Sequence, residues 1–196
     1  MDPEHVRTVV LAAGSSARMG WNKLAAPFDG VPLARRVVIA LAELRPLVVA
    51  GPEVAAVLAG LEGVTLLVTE PTAGPSLSLG LANDALPADR TLAVAACDLP
   101  FLTAAAVRAF VRRVPDDADL AFPTVDGTPG HPVVWSPAAR TRIAGLGPGQ
   151  APVSLRADPG LRVIALAETD DAYVVDVDTP AAWSAAERRA LRQSRS

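Results

Sequence analysis

The sequence predicts an α/β protein of three layers, αβα, in which a mostly parallel sheet is covered by helices on both faces. Apolar, β-branched runs of strand length recur along the chain, and segments with helical periodicity lie between them. Several of the runs are continuously apolar, which is typical of strands that are buried on both faces. Strands that alternate with helices in this way form parallel sheets with helices on either side.

Eight segments are predicted to be strands. They are VRTVVLA (6–12), LVVA (47–50), VTLLVT (64–69), TLAVAA (91–96), DLAFPTV (119–125), PVVWS (132–136), LRVIALA (161–167) and YVVDVD (173–178). Open parallel sheets bind their ligands at the carboxyl ends of the strands. Polar residues that directly follow a predicted strand are therefore candidate site residues.

Helices are predicted from apolar stripes and from capping residues. Two stripes with helical spacing are predicted to face the core, Leu33, Val37, Ala40, Leu41 and Leu44 in one and Val54, Val57, Leu58 and Leu61 in the next. Thr103, Ser136 and Thr179 are predicted N-caps. Pro137 and Pro180 follow the last two caps at the first helical position, where proline is favoured.

Composition limits the classes of function. The 196 residues, 51% of them hydrophobic, suit one domain over residues 1–196, with a C-terminal tail from about residue 187 that we expect to fray. A net charge of −3 and a pI near 5.4 provide no basic surface, so we expect no nucleic-acid partner. The N-terminus lacks the basic start and apolar stretch of a secretory signal, and no long apolar run follows. We therefore predict a cytoplasmic protein without membrane contact.

The stretch VVLAAGSSARMGWNKL (9–24) carries the strongest functional signal. Four small residues, 14–17, follow the first predicted strand, and their side chains leave backbone N–H groups accessible to an anion. Two cations, Arg18 and Lys23, come next, so phosphate is the expected anion. The pattern is neither a P-loop, which ends in Gly-Lys-Ser/Thr, nor the G-x-G-x-x-G dinucleotide fingerprint.

Carboxylates follow two other predicted strands. Asp98 ends the fourth strand, where it would either bind Mg²⁺, which takes one or two carboxylates together with substrate phosphates, or cap the next helix. Period-two alternation places Asp176 and Asp178 on the same side of the last predicted strand. These two would either complete a metal site or serve as turn carboxylates before the Thr179 cap.

Catalysis by a side-chain nucleophile is not indicated. The only histidines are His5 and His131, and no G-x-S-x-G elbow occurs. Cys97, the single cysteine, excludes an internal disulfide and a multi-thiolate metal site. Its neighbour Asp98 is expected to raise the pKa of the thiol, so we interpret Cys97 as packing at a strand end. A phosphate loop with carboxylates needs no general base if the acceptor is a phosphate monoester, which is already nucleophilic at neutral pH.

Together these residues resemble the signature of the MobA-like nucleotidyltransferases, L-A-(A/G)-G-x-S-x-R-(M/F)-G-x-x-K, which matches from Leu11 to Lys23. Within that group the chain most resembles the molybdenum cofactor cytidylyltransferases, which also carry C-D-x-P, G-(H/N)-P-V and D-x-D-T-P motifs. The matching segments begin at Cys97, Gly130 and Asp176, in family order. The resemblance implies a single Rossmann-like (GT-A-like) nucleotidyltransferase domain that uses CTP and Mg²⁺, or Mn²⁺ in its place.

The resemblance also implies roles for individual residues. Arg18, Lys23 and Asp98 would be catalytic, the two cations by contacting the nucleotide phosphates. The metal would bind Asp98 and Asp178, with Asp176 as the less certain partner. The nucleotide would contact two segments, through Leu11, Ala12, Ala13, Gly14, Ser15, Ser16, Lys23, Gly74, Ser76 and Ser78. The acceptor would contact Gly130, His131 and Pro132.

The implied reaction transfers CMP from CTP to the phosphate of molybdopterin, with release of pyrophosphate, and an apo-molybdoenzyme is a further candidate partner. Ala13 favours cytosine, because guanylyl-transferring relatives tend to carry glycine there. The chain departs from the family in GPGQAPVSLR (147–156), where relatives commonly have G-D-x-G-A-R, and Arg156 is a candidate replacement for that arginine. Three alternatives therefore stay open: transfer from GTP or ATP, another phosphorylated acceptor, and a non-catalytic carrier of the cofactor.

Overall fold

The computed structural model describes residues 1–14, 19–70, 74–146 and 150–193. The strands in these ranges are β1 (Val6–Ala12), β2 (Pro27–Phe28), β3 (Val31–Pro32), β4 (Leu47–Ala50), β5 (Thr65–Val68), β6 (Thr91–Ala96), β7 (Leu120–Val125), β8 (Thr128–Pro129), β9 (Val133–Trp135) and β10 (Val163–Ala167). The α-helices are α1 (Leu33–Leu41), α2 (Pro52–Leu58), α3 (Gly74–Ala85), α4 (Ala104–Arg113), α5 (Pro137–Arg140) and α6 (Pro180–Gln193). In these ranges no helix combines the length and the apolar character needed to cross a membrane.

An eight-stranded sheet forms the centre of the molecule. Its strand order is β10-β7-β9-β6-β1-β4-β5, with β8 paired to β7, and β2 and β3 form a separate hairpin. Strand β1 pairs in parallel with β6 and β4, whereas β9 runs antiparallel between β6 and β7. The predicted mostly parallel α/β fold is confirmed.

Helices cover both faces of the sheet, as the continuously apolar runs predict. Alternate strand residues such as Val10, Val48 and Ala95 pack against α1, α2, α4 and α6. The opposite residues, among them Val9 and Val49, pack against α3 and α5. Burial of apolar side chains on both faces is the main stabilising contribution to such a sheet.

The predicted strand over 173–178 is wrong. Residues Asp171–Tyr173 form a short 3₁₀ helix, and the chain after it is irregular. The backbone N–H groups of Val174 and Val175 both donate to the carbonyl of Asp171, so they cannot join a strand ladder. The apolar pattern of this segment is the same as that of a strand, but its backbone N–H groups form hydrogen bonds within a turn.

The C-terminal helix extends into the segment after residue 187. Residues 187–193 continue α6, and Ala186 and Ala190 are buried against the core. Residues 194–196 lie outside the described ranges. The predicted caps are confirmed, since the hydroxyls of Thr103, Ser136 and Thr179 each accept a backbone N–H of the helix that follows.

A buried arginine fixes the end of α3. Arg140 is 3% exposed, and its guanidinium donates five hydrogen bonds. The acceptors are the side-chain and backbone oxygens of Asn83 and the carbonyls of Leu86, Pro87 and Arg90, at 2.5–3.1 Å. These carbonyls include orphan acceptors at and beyond the C-terminus of α3. Arg140 therefore anchors the helix whose first turn lies at the functional site.

We expect the Arg140→Met variant to lose about 3 kcal/mol or more of unfolding free energy, because it leaves several buried acceptors without a donor. Urea denaturation measures the loss. The Arg112→Met variant, at an exposed position in the last turn of α4, is the control and should change stability by less than about 0.5 kcal/mol. Equal denaturation midpoints for the Arg140→Met variant and the wild type would contradict the anchoring role.

Candidate active site

The candidate site lies where β1 and β6 end side by side. These strands pair in parallel, with Leu11 opposite Ala96. Ala13 and Gly14 follow the end of β1, and Asp98 follows the end of β6. Asp98, Ala13 and Gly14 line the same cleft, which has a volume of about 520 Å³. The sheet thus brings Asp98 to the same cleft as Gly14, the first residue of the predicted phosphate loop, as the position of Asp98 at a strand end indicates.

An ion-pair cluster forms the polar rim of the site. The Nζ of Lys23 donates to Oδ2 of Asp98 at 2.7 Å and to Oδ1 of Asp178 at 2.5 Å. The side chain of Lys23 is 7% exposed, against 21% for Asp98 and 37% for Asp178. Two carboxylates that are distant in sequence therefore meet at one ammonium group. Asp98 does not cap α4, because Thr103 does.

The charge of Lys23 is stabilised by its partners. Burial alone would lower the pKa of the ammonium, but the negative charge of Asp98 and hydrogen bonds to both carboxylates outweigh it and raise the pKa above the ordinary value of 10.5. Lys23 is thus a permanent cation at neutral pH. A partly buried cation of this kind is suited to stabilising the charge of a phosphate group.

The two carboxylates fit a magnesium or manganese ion that also takes substrate oxygens. Mg²⁺ commonly binds one or two carboxylates and completes its shell with phosphates and water. Within the described ranges no group of three or more His, Cys, Asp or Glu side chains is placed to hold a metal by itself. A metal at Asp98 and Asp178 would therefore depend on the substrate for the rest of its ligands.

The predicted residues of the first loop are only partly described. Ser15, Ser16 and Arg18 lie outside the described ranges. Leu11 lines the cleft, whereas Ala12 is fully buried in the core on the other face of the sheet. Asp176, the less certain metal ligand, is exposed.

The second predicted nucleotide segment forms the start of a helix. Helix α3 begins at Gly74, whose φ of 66° is in the left-handed region that favours glycine. Gly74 and Ser78 line the cleft, and the Ser78 hydroxyl donates to the Gly74 carbonyl at 2.9 Å. The hydroxyl of Ser76 instead donates to the backbone carbonyl of Gln150. Ser76 therefore holds the 150–152 segment against α3.

Of the three predicted acceptor residues, only His131 lines the cleft. Its Nδ1 donates to the carbonyl of Val94 at 3.2 Å, which leaves Nε2 as an acceptor. Pro132 is buried. Gly130 packs so closely on Tyr173 that a Cβ atom would lie 2.3 Å from the Tyr173 carbonyl oxygen. Gly130 thus has a steric role, because no other residue fits there without a backbone shift.

The residues that form the far wall of the cleft carry little functional signal in the sequence. Pro152, Val153 and Arg156 reach it from a 3₁₀ helix, Pro152–Ala157, within the segment that departs from the family motif. Trp135, on β9, also lines the cleft. Arg156 was a candidate from the motif comparison, but an aromatic residue in a buried strand such as Trp135 carries no functional signal in sequence.

Cys97 has the structural role expected of it. The residue is 1% exposed, and its N–H donates to the Leu11 carbonyl at 3.0 Å. Burial, and then the charge of Asp98, raises the pKa of the thiol well above its ordinary value. The thiol therefore stays protonated and unreactive at neutral pH.

The three-layer architecture with a cleft at this edge is the Rossmann-like fold of the nucleotidyltransferases. The sequence matches the model of the MobA-like NTP transferase domain over residues 8–164, and the chain belongs to that family. Asp176 and Asp178 lie beyond the matched range. No curated protein matches the chain.

Solved structures share the fold over almost the whole chain. A homologue of Mycobacterium tuberculosis Rv0371c from Mycobacterium sp. strain JC1 is 25% identical, with a TM-score of 0.82 over 98% of this chain and 100% of that one. Rv0371c from Mycobacterium tuberculosis in complex with manganese is 19% identical, with a TM-score of 0.75 over 93% and 97%. Molybdopterin-guanine dinucleotide biosynthesis protein A from Archaeoglobus fulgidus is 16% identical, with a TM-score of 0.74 over 95% and 99%.

We expect the Lys23→Met variant to lose about 1–3 kcal/mol of unfolding free energy in the presence of a chelator, because Asp98 and Asp178 would repel each other without the ammonium. Adding Asp98→Asn to the same chain should restore part of the loss, since one carboxylate then remains. Urea denaturation of both variants measures the effect. A Lys23→Met variant as stable as the wild type would contradict the coupling.

We also expect a pH dependence of stability from His131. Burial lowers the pKa of His131 below its ordinary value of 6.5, so the unfolded chain binds a proton at a higher pH than the folded one. Stability should therefore fall as the pH drops through about 6.5, and the His131→Asn variant should lose less. Denaturation of both proteins from about pH 8 to about pH 5 provides the comparison. Parallel profiles would show that His131 titrates equally in both states.

Proposed function

We propose that the protein is a metal-dependent nucleotidyltransferase that transfers CMP from CTP to the phosphate of molybdopterin in the molybdenum cofactor. The observation that carries the proposal is the meeting of Lys23, Asp98 and Asp178 at the rim of a cleft that extends from Gly14 to His131. A cation and two carboxylates at the end of a glycine loop are suited to holding a triphosphate and its metal.

The chemistry needs positioning and charge neutralisation. An oxygen of the acceptor phosphate forms a bond to the α-phosphorus of CTP, the bond from that phosphorus to the bridging oxygen breaks, and pyrophosphate leaves. The acceptor oxygen is already deprotonated near neutral pH, so the cleft need not supply a general base. Lys23 would stabilise negative charge on the phosphates, and Asp98 with Asp178 would hold Mg²⁺ or Mn²⁺, which neutralises phosphate charge when bound.

Support for the metal and for the base comes from different observations. The similar protein from Mycobacterium tuberculosis was crystallised with manganese, which supports a divalent cation here. Ala13 supports cytosine through its resemblance to cytidylyltransferases, and in the structure it lines the cleft with 4% of its surface exposed. A methyl group there leaves less room than the glycine of guanylyl-transferring relatives.

A second candidate function keeps the same transfer but changes the acceptor. The wall formed by the 3₁₀ helix Pro152–Ala157 belongs to the segment that lacks the family motif, and Arg156 lines the cleft from it. A different wall would suit a different phosphorylated acceptor. The carrier alternative is less favoured, because a protein that only binds the cofactor needs no paired carboxylates beside Lys23.

Pyrophosphate release tests the transfer directly. The purified protein with Mg²⁺ is incubated with CTP, GTP, ATP or UTP, each alone, with molybdenum-loaded molybdopterin, and with each of a panel of other phosphorylated small molecules. Release with CTP only when the pterin is present supports the full proposal. Release with another nucleotide corrects the base, and release only with other phosphorylated acceptors favours the second candidate. No release with any pair would contradict nucleotidyl transfer.

We expect the Asp98→Asn variant to lower kcat at least about a hundredfold while the fold is retained, because the amide removes the charge that the metal and Lys23 require. Asp178→Asn should lower kcat more than Asp176→Asn, since Asp178 contacts the same ammonium as Asp98. Steady-state pyrophosphate release measures kcat, and circular dichroism checks the fold. The Asp117→Asn variant, at a surface ion pair with Arg162, is the control. Normal turnover by a folded Asp98→Asn variant would exclude its metal role.

A further inference from the structure

Two buried donors without partners lie in the same cleft. Among the described residues, only Trp135 Nε1 and Arg156 Nε are buried side-chain nitrogen or oxygen atoms that have no hydrogen-bond partner. Both residues line the cleft. Buried polar groups in folded proteins are nearly always hydrogen-bonded, so two exceptions in one cavity point to a ligand that completes them.

Both unpartnered nitrogen atoms require a hydrogen-bond acceptor. An indole nitrogen and a guanidinium are hydrogen-bond donors only, so whatever satisfies them must present acceptor atoms. Trp135 is 3% exposed and sits on β9, with Leu92 and Leu120 as its strand neighbours. Arg156 makes no hydrogen bond or ion pair with the described residues, and its guanidinium lies over the ring of Phe122 at 4.1 Å.

The other polar side chains that line the cleft already have partners within the protein. Asp98 is bonded to Lys23, Ser78 to the Gly74 carbonyl, and His131 to a backbone carbonyl through Nδ1. Among the other lining residues, Val94, Leu120 and Val133 belong with Trp135 to one apolar cluster. We call this part of the cleft the inner compartment; it is lined by Val94, Leu120, Val133, Trp135, Val153 and Arg156.

These features define the chemistry of the ligand. Apolar walls favour a flat, weakly hydrated body, and the planar guanidinium stacked on Phe122 offers such a body a flat surface. The two donors require acceptor atoms at the edge of that body. A site built to hydrogen-bond a ligand in this way rejects an analogue that lacks the acceptors, because its buried donors are then left unpaired.

We propose that the inner compartment binds a planar heteroaromatic ring, with Trp135 and Arg156 donating hydrogen bonds to its carbonyl or ring-nitrogen acceptors. The proposal rests on the proposed function for the source of the ring, since the base of CTP and the pterin of the acceptor share this chemistry. Trp135 is then a specificity-determining residue outside the sequence motifs, and Arg156, the candidate replacement for the motif arginine, is a second.

Stability of the free protein provides the first test. The Trp135→Phe variant removes the unpartnered N–H together with part of a buried ring, so its melting temperature should fall no further than after the same substitution at another buried tryptophan. The Trp183→Phe variant, whose ring contacts Phe28 and Trp21 outside the cleft, is the matched control for ring substitution. A large drop in melting temperature for Trp135→Phe alone would mean that the N–H serves the fold, and would overturn the proposal.

Ring binding provides the decisive test and does not depend on turnover. Isothermal titration compares CMP, 6-hydroxymethylpterin and ribose 5-phosphate, which carries phosphate but no aromatic ring. Trp135→Phe and Arg156→Lys should each weaken one of the two ring probes at least about fivefold and leave ribose 5-phosphate unchanged. Weaker binding of CMP by the variants assigns the compartment to the base of CTP. Weaker binding of 6-hydroxymethylpterin assigns it to the pterin of the acceptor. The Arg162→Lys variant, in the surface ion pair with Asp117, is the matched control for the arginine.

Arg156→Lys also separates ring recognition from simple anion binding, because lysine keeps the charge but lacks the planar fork. Unchanged affinity for both ring probes in both variants would overturn the proposal. It would also be overturned if the affinity for ribose 5-phosphate fell as much as the affinity for the ring probes. The proposed function is tested separately. If the wild type binds a ring in this way but releases no pyrophosphate, the ring site is supported and nucleotidyl transfer is contradicted. A wild type that transfers nucleotide, with both variants unchanged, keeps the function and excludes the compartment.

Discussion

The site depends on one ammonium group that two carboxylates share. Of the 18 lysines and arginines in the chain, only Lys23 is a lysine. A compact ammonium with three donors fits between Asp98 and Asp178, where the planar fork of an arginine would need more room and a fixed orientation. The shared contact also fixes the irregular segment that carries Asp178 against the end of β6, so the geometry of the rim and the path of the chain after residue 173 have the same cause.

Much of the fold is predictable from the sequence because it depends on burial. Strands β1, β4 and β6 lie where their continuous apolar runs predict, since a strand covered on both faces tolerates few polar residues. The segment 173–178 has the same pattern but forms no strand, because its backbone donors are used within a turn. Local composition does not record where a backbone N–H finds its acceptor.

Some residues of the candidate site are likewise predictable from the sequence, and others are not. The place of Asp98 in the cleft is predictable, because a residue that directly follows a buried parallel strand lies at the edge where such sheets bind ligands, although the sequence left a capping role equally open. The role of Asp178 in pairing with Lys23 is not, since the two residues are far apart in sequence and meet only through the fold. Trp135 is invisible in the sequence for another reason. Its place in a strand is explained by packing alone, and only the missing partner of its N–H sets it apart.

The antiparallel course of β9 has a consequence for how substrate preference changes among related chains. His131 precedes this strand and Trp135 ends it, and both residues line the cleft, whereas Val134 between them faces the opposite core. Inserting or deleting one residue before β9 would exchange the two faces and bring Val134 into the cleft. We therefore expect no insertions or deletions in this strand among related chains. Residues 151–153 and Arg156 line the same cleft outside the sheet ladder, so evolution can reshape that wall without disturbing the core.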